Sequence, residues 1–300
     1  MIRKDSKSPK NGKVQTLKDK REQRPARRVF CRSVSKFEDG VINEDAALAR
    51  PNLIAISDGA GGGGVYAERW SRYLLDNLPS KPITTFEELD YWIDQIWEPF
   101  YKDCEEEAKK EGGMLLDKFY DEGSFATLVA VWRDGDECQW MSYGDSVAFC
   151  YSKGSGGLEH SFTRLGDFNN PPYLISCKDE LKKEGFRSGK FACGPRSIVF
   201  AASDTLAHYI LMMYEVCKSR RGRNPQYRNE LTEALNMHTK NSNFISAALN
   251  IERPNLGRDG FYPLIRALKS EKTFKQHLQQ LISQGLMGHD DYSFALLPNP

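Results

Sequence analysis

The sequence predicts a layered α+β fold in which β-hairpins pack against helices. Three observations carry this. Short runs rich in Val, Ile, Phe and Tyr recur along the chain, and two of them flank an Asp134-Gly135 hairpin turn signal. Other apolar residues fall at helical spacing. The two kinds of segment do not alternate regularly, as a parallel α/β sheet would require.

In chain order, strands are expected at Leu53–Ile56, Phe125–Trp132, Gln139–Tyr143, Val147–Tyr151, Ile198–Ala202 and Tyr292–Leu297. Tyr66, Trp70, Tyr73, Leu74 and Leu78 mark one face of a helix. Phe86 to Cys104 continues at the same spacing, with a kink expected at Pro99. Thr205–Cys217 reads as a buried helix, Asn224-Pro225 as the cap and first turn of another, and Thr273–Gly285 as a capped helix with a glycine stop. Residues 153–195 read as surface loops, and helical insertions are expected near 80–120 and 218–262. No clean linker or internal repeat interrupts 29–300, so one domain is expected there.

The 300 residues carry a net charge of +1, but residues 1–28 alone carry +8 and the remainder −7. The basic tail holds few apolar residues and is expected to be a disordered, solvated leader; nucleic acid is expected only through it. No apolar run is long enough to span a membrane, and the first residues lack the apolar core of a secretory signal. Seven cysteines without a C-x-x-C pair argue for reduced thiols, a cytoplasmic protein and no structural zinc.

The stretch 55–70, AISDGAGGGGVYAERW, sets an aspartate at the end of an apolar run and then places five glycines in the next six positions. A phosphate loop would need a lysine after its glycines, and none is near. A dinucleotide loop would need its acid about 20 residues later, whereas Asp58 precedes the glycines and would repel a pyrophosphate. The remaining reading is a metal site whose ligands include backbone.

Other acids repeat the pattern. Glu44 and Asp45 precede the Leu53–Ile56 run, Asp145 lies in a Gly-Asp-Ser turn, Asp204 follows an apolar run, and Asp290 and Asp291 precede the last one. A single Asp beside a strand is ordinarily a turn or cap residue. Several carboxylates at one sheet end repel each other unless cations intervene, and oxygen-only ligands select Mg²⁺ or Mn²⁺.

In order, NEDAAL, AISDGAGG with AERWS, SFATLVAVW, YGDSVA, FAASDTL and HDDYSFALL resemble the metal-dependent protein serine/threonine phosphatases of type 2C, from about residue 30 to 298. The resemblance implies a four-layer α-β-β-α sandwich, two antiparallel sheets flanked by helices, with a binuclear Mg²⁺/Mn²⁺ centre at one end and a phosphorylated protein as substrate. It implies that Asp58 bridges both metals, that the Gly59 carbonyl ligates one, and that Asp204 and Asp290 serve the first and Glu44 the second. Asp45 would orient the metal-bound water that attacks phosphorus. Asp145, with His208 in place of an acid, would form a weaker third site.

The departures are specific. The glycine loop lacks the family's histidine, Gly40 replaces an arginine that anchors substrate phosphate, Ser-Asp-Gly has become Ser203-Asp204-Thr205, and Asp291 and Ser293 replace Asn and Thr. Arg32 or Lys36 is the expected substitute for the arginine. The expected activity is phosphomonoester hydrolysis on Ser/Thr of proteins. The alternatives are a pseudophosphatase that binds or scaffolds without turnover, and a phosphoesterase acting on nucleotides or nucleic acid through the tail.

Overall fold

The apolar runs become two five-stranded antiparallel sheets. The computed structural model describes residues 30–221 and 242–298. Its strands and helices, in chain order, are β1 (Cys31–Val34), β2 (Ala46–Arg50), β3 (Leu53–Ser57), α1 (Ala67–Asp76), α2 (Phe86–Glu111), α3 (Gly113–Glu122), β4 (Phe125–Ala126), β5 (Leu128–Asp134), β6 (Glu137–Tyr143), β7 (Val147–Ser152), β8 (Leu158–His160), β9 (Ile175–Ser176), β10 (Phe186–Ala192), β11 (Ser197–Ala202), α4 (Asp204–Arg221), α5 (Ser242–Leu249), α6 (Tyr262–Ala267), α7 (Glu271–Ser283) and β12 (Tyr292–Leu296). One sheet has the order β1-β12-β11-β7-β8 and the other β10-β6-β5-β3-β2, with β4 and β9 pairing separately.

The layers follow from the period of two along each strand. In β3, Ile54 and Ile56 join Val129, Val131, Ala148, Val199 and Ala201 in the core between the sheets. Their neighbours Leu53 and Ala55 point outward, against Trp70 and Leu74 of α1 and Leu89 and Ile93 of α2. On the other sheet, Phe149, Phe200 and Phe294 turn outward beneath Tyr209 and Ile210 of α4 and Phe274 and Leu278 of α7. Both faces of each central strand are therefore covered, which is why these strands read as continuous apolar runs.

Several expectations shift. The 125–132 run is split at Thr127, whose backbone N–H donates to the Asp58 carbonyl at 2.8 Å. Residues 153–195 are not simply loops, because they contain β8, β9 and the seven-residue β10, which pairs along its length with β6. The α2 helix continues through Pro99 to Glu111. The α7 helix starts two residues early, where Ser270 and Thr273 form a reciprocal cap, and Gly285 just beyond its end takes φ +69°. Asn224-Pro225, the tail and most of the 218–241 stretch lie outside the described residues. Among the described residues no helix is long and apolar enough to cross a membrane.

Candidate active site

One end of the sandwich collects the acids because the register puts their strand ends together. β2 starts after Asp45 where β3 ends before Asp58, since Ala46 pairs with Ser57. β11 ends before Asp204 where β12 begins after Asp291, and the β6–β7 turn carries Asp145 to the same end. Asp58 is fixed through its backbone: its carbonyl accepts from Thr127 N–H, and its own N–H donates to Thr127 Oγ1 at 3.3 Å. Thr127 Oγ1 in turn meets Ser146 Oγ at 2.8 Å, which ties the start of β5 to the Asp145 turn.

Glu44 is held from three directions. Its backbone N–H donates to Asp291 Oδ2 at 2.6 Å, its carbonyl accepts from Ser71 Oγ of α1 at 2.5 Å, and its Oε2 accepts from Gly61 N–H at 3.2 Å. The glycine loop thus gives an N–H to a carboxylate rather than presenting it to a phosphate. Glycine is needed there for space: a Cβ on Gly59 would stand 2.6 Å from the Glu44 carbonyl and 2.8 Å from that of Ala67, and one on Gly61 would overlap Glu44 Oε1.

The electrostatics are those of an uncompensated acidic cluster. Burial, reinforced by Asp45, Asp204, Asp145 and Asp290, holds Asp58 well above the ordinary carboxylate range. Burial and then Asp145, Asp290 and Asp45 do the same to Asp204. Asp45 is pushed up to about 7, by burial first, with the Ser293 and Ser203 hydroxyls beside it pulling the other way. Burial raises Asp145 to about 6 against the Arg187 guanidinium, and raises Asp290 and Glu44 as well. Asp45 is only 2% exposed, and neither of its carboxylate oxygens has a hydrogen-bond partner.

The structure therefore brings Asp45, Asp58, Asp145, Asp204 and Asp290 into mutual electrostatic range. The charged neighbours of Glu44 are Asp291, Lys36 and Glu68. As they stand, no three His, Cys, Asp or Glu side chains among the described residues are grouped to hold a metal ion. The donor set nevertheless fits a hard divalent cation. It is all oxygen, it resists ionisation for want of positive charge, and it includes a buried carboxylate with both oxygens free.

The two basic candidates separate. Arg32 Nε donates to the Leu268 carbonyl at 2.9 Å, which directs it to the α6–α7 connection. Lys36 is a charge neighbour of both Glu44 and Asp290, and its backbone N–H donates to Asp291 Oδ1 at 2.8 Å. His208 lies 8% exposed, edge-on to Phe168 with ring centroids 5.5 Å apart. It shares a cavity of about 120 Å³ with Asp204, Thr205 and Phe244, while Nε2 has no partner and burial pushes the ring down to about 4.

Sequence reasoning missed Arg187. It lies on β10, donates to the Gly144 carbonyl, stacks 5.0 Å from the Phe162 ring and faces Asp145, so it holds the turn that carries this acid. Its only sequence signal was the weak alternation of residues 186–192.

This chain is similar to solved serine/threonine phosphatases. The serine/threonine phosphatase PstP/Ppp of Mycobacterium tuberculosis matches with a TM-score of 0.48 and 14% identity, over 89% of this chain and 95% of that one. Stp1 of Staphylococcus aureus matches at 0.45 and 13%, over 89% and 94%. The PstP catalytic domain in complex with two manganese ions matches at 0.48 and 13%, over 89% and 97%. No protein-family model matches the chain, and no curated protein matches it.

Proposed function

We propose that the chain is a metal-dependent phosphomonoester hydrolase that removes phosphate from serine or threonine of proteins. The observation that carries this reading is Asp45, a buried carboxylate with both oxygens unpartnered, set among four further aspartates that burial and mutual repulsion keep from ionising freely. Such a cluster is costly unless positive charge enters it. The order of the six sequence motifs supports the same reading.

Asp58 would bridge two Mg²⁺ or Mn²⁺ ions, with Asp204 and Asp290 on one, Glu44 on the other and the Gly59 carbonyl on one of them. When bound, the cations supply a water acidic enough to attack phosphorus and offset charge on the phosphoryl oxygens. Asp45 has acceptor capacity to spare and would orient that water. Lys36, a charge neighbour of Glu44, would meet the substrate phosphate in preference to Arg32, whose Nε is taken up by the Leu268 carbonyl. Arg187 fixes the Asp145 turn, which with His208 would serve a weaker third ion.

The test is phosphate release from an aryl phosphate and from phosphoserine and phosphothreonine peptides with millimolar Mn²⁺, run beside Asp58→Asn. Turnover abolished by the substitution supports the proposal, and no turnover by the folded wild type overturns it. A pseudophosphatase is the second reading, favoured by the acids not being grouped for a metal and by the missing arginine, where Gly40 stands, the missing histidine and Thr205. Calorimetry showing two Mn²⁺ sites together with turnover would remove it.

A further inference from the structure

Three thiols meet at the opposite end of the sandwich from Asp58. Cys138 lies near the start of β6, opposite Phe191 of β10, and β10 runs on into Cys193. Cys150 lies on β7, opposite Val199. Cys138 and Cys150 are buried in the inter-sheet core, one from each sheet, and the half-buried Cys193 packs against that core. Cys193 N–H donates to the Asp136 carbonyl at 2.8 Å, which fixes the residue just beyond the strand end. Its thiol donates to the Phe191 carbonyl at 3.5 Å and neighbours the sulfurs of both Cys138 and Cys150. Cys193 also lines a cavity of about 300 Å³ bounded by Arg133, Asp136, Gly194 and Pro195, and the Arg133 guanidinium lies beside Cys138.

Three neighbouring sulfurs, one of them opening on a cavity, have two chemical uses: ligating a soft metal or forming a disulfide. The first is not favoured, because no three Cys, His, Asp or Glu side chains among the described residues are grouped to hold a metal. We propose that Cys193 is a modification site for small hydroperoxides, which reach it through this cavity, and that it then closes a disulfide with Cys138 or Cys150. In the first step the Cys193 sulfur attacks one peroxide oxygen. The O–O bond breaks, the sulfur becomes a sulfenic acid, and the other oxygen takes up the thiol proton and leaves as water from hydrogen peroxide or as an alcohol from an organic hydroperoxide. In the second step the neighbouring thiol attacks the sulfenic sulfur, the S–S bond forms and a water leaves. Two thiols lose one electron each and one peroxide gains both. The neighbouring Cys193 and, to a lesser degree, the Arg133 guanidinium favour the Cys138 thiolate and so Cys138 as the attacking partner, while a bond to Cys150 would join the two sheets.

Another pair of thiols in the chain serves as an internal control. Cys104 and Cys177 are charge neighbours of each other but lie closed in beneath α2 and α3, both 0% exposed. The experiment exposes the reduced full-length chain to about one equivalent of hydrogen peroxide, alkylates free thiols under denaturing conditions, and maps disulfides by mass spectrometry. The expected result is an intramolecular bond from Cys193, absent in Cys193→Ser. It should persist when either Cys138 or Cys150 alone is replaced by Ser, disappear when both are, and be reversed by dithiothreitol. Because substitution of the buried cysteines could unfold the chain, circular dichroism of each variant accompanies the map, and the Cys193→Ser comparison stands without them. The proposal is overturned if Cys193 stays alkylatable while Cys31 or the Cys104–Cys177 pair oxidises first, or if bonds form only between molecules.

Discussion

The backbone N–H of Glu44 donates to Asp291 Oδ2 at 2.6 Å, while Oδ1 of the same carboxylate takes the backbone N–H of Lys36 at 2.8 Å. One buried side chain, ahead of the last strand, thereby fixes two points of the segment that carries Glu44 and Asp45. The aspartate at this position departs from the family pattern that the motifs suggest, and the geometry gives a reason: two donors call for two acceptors.

Asp291→Asn should therefore be costly despite its near-identical shape. An amide offers one acceptor oxygen and turns its NH₂ toward the other N–H, leaving a buried donor unpaired at a cost of about 1–3 kcal/mol. Urea denaturation should show that loss. Calorimetry should show weakened Mn²⁺ binding, because the turn that presents Glu44 loosens. Unchanged stability would mean the segment is held by other contacts.

The glycine loop gives a graded series. Gly59→Ala drives a Cβ against backbone on two sides and should destabilise by about 1–3 kcal/mol. Gly61→Ala collides with the end of the Glu44 side chain, which can swing away, so its effect should fall on Mn²⁺ affinity more than on stability. Gly62→Ala meets nothing within 4 Å and should change neither. Thermal melts with and without Mn²⁺ separate the three, and equal effects at Gly61 and Gly62 would contradict the assigned role of Glu44.

The legibility of the sequence tracks how fully each element is buried. Strands covered on both faces, such as β3, β5 and β11, stand out as apolar runs, and the acids at their ends, which the structure brings together, are visible in the sequence as well. The edge strand β10 does not. Its residues Ser188, Gly189 and Lys190 resemble a loop, and Gly189 is small because a Cβ there would stand 2.6 Å from the Trp140 ring. With β10 unread, Arg187 could not be placed beside Asp145. The choice between Arg32 and Lys36 was equally hidden, because it depends on which face of the β1 segment meets the α6–α7 connection and which meets the acids.

His208 should make metal-free stability depend on acid. Its ring is kept neutral by burial, with a folded value of about 4 against an ordinary 6.5. Between these values the unfolded chain binds the proton more readily than the folded one. The His208 contribution is therefore full above pH 6.5 and is lost as the pH drops toward 4, by up to about 3 kcal/mol, while the raised Asp45 and Asp145 contribute in the opposite sense over the same range. His208→Leu should remove this contribution, so that its stability relative to wild type rises as the pH falls from about 7 to 4 in urea denaturation. Parallel slopes would show that the ring accepts its proton inside the fold, against the aromatic packing around it.

Asp58→Asn should separate stability from function at one position. In the metal-free chain the Asp58 charge is opposed by burial and by Asp45, Asp204, Asp145 and Asp290 together. Replacing it with a neutral amide removes that repulsion, so the metal-free variant should be more stable than wild type by on the order of 1 kcal/mol, as is common where a site is built for binding rather than for stability. Mn²⁺ should reverse the order: wild type gains stability in proportion to its site occupancy, while the variant gains little. Differential scanning calorimetry of both proteins with and without Mn²⁺ makes the check. A variant less stable than wild type without metal would mean that Asp58 is already compensated inside the fold, and the case for a cation at this end of the sandwich would lose its electrostatic basis.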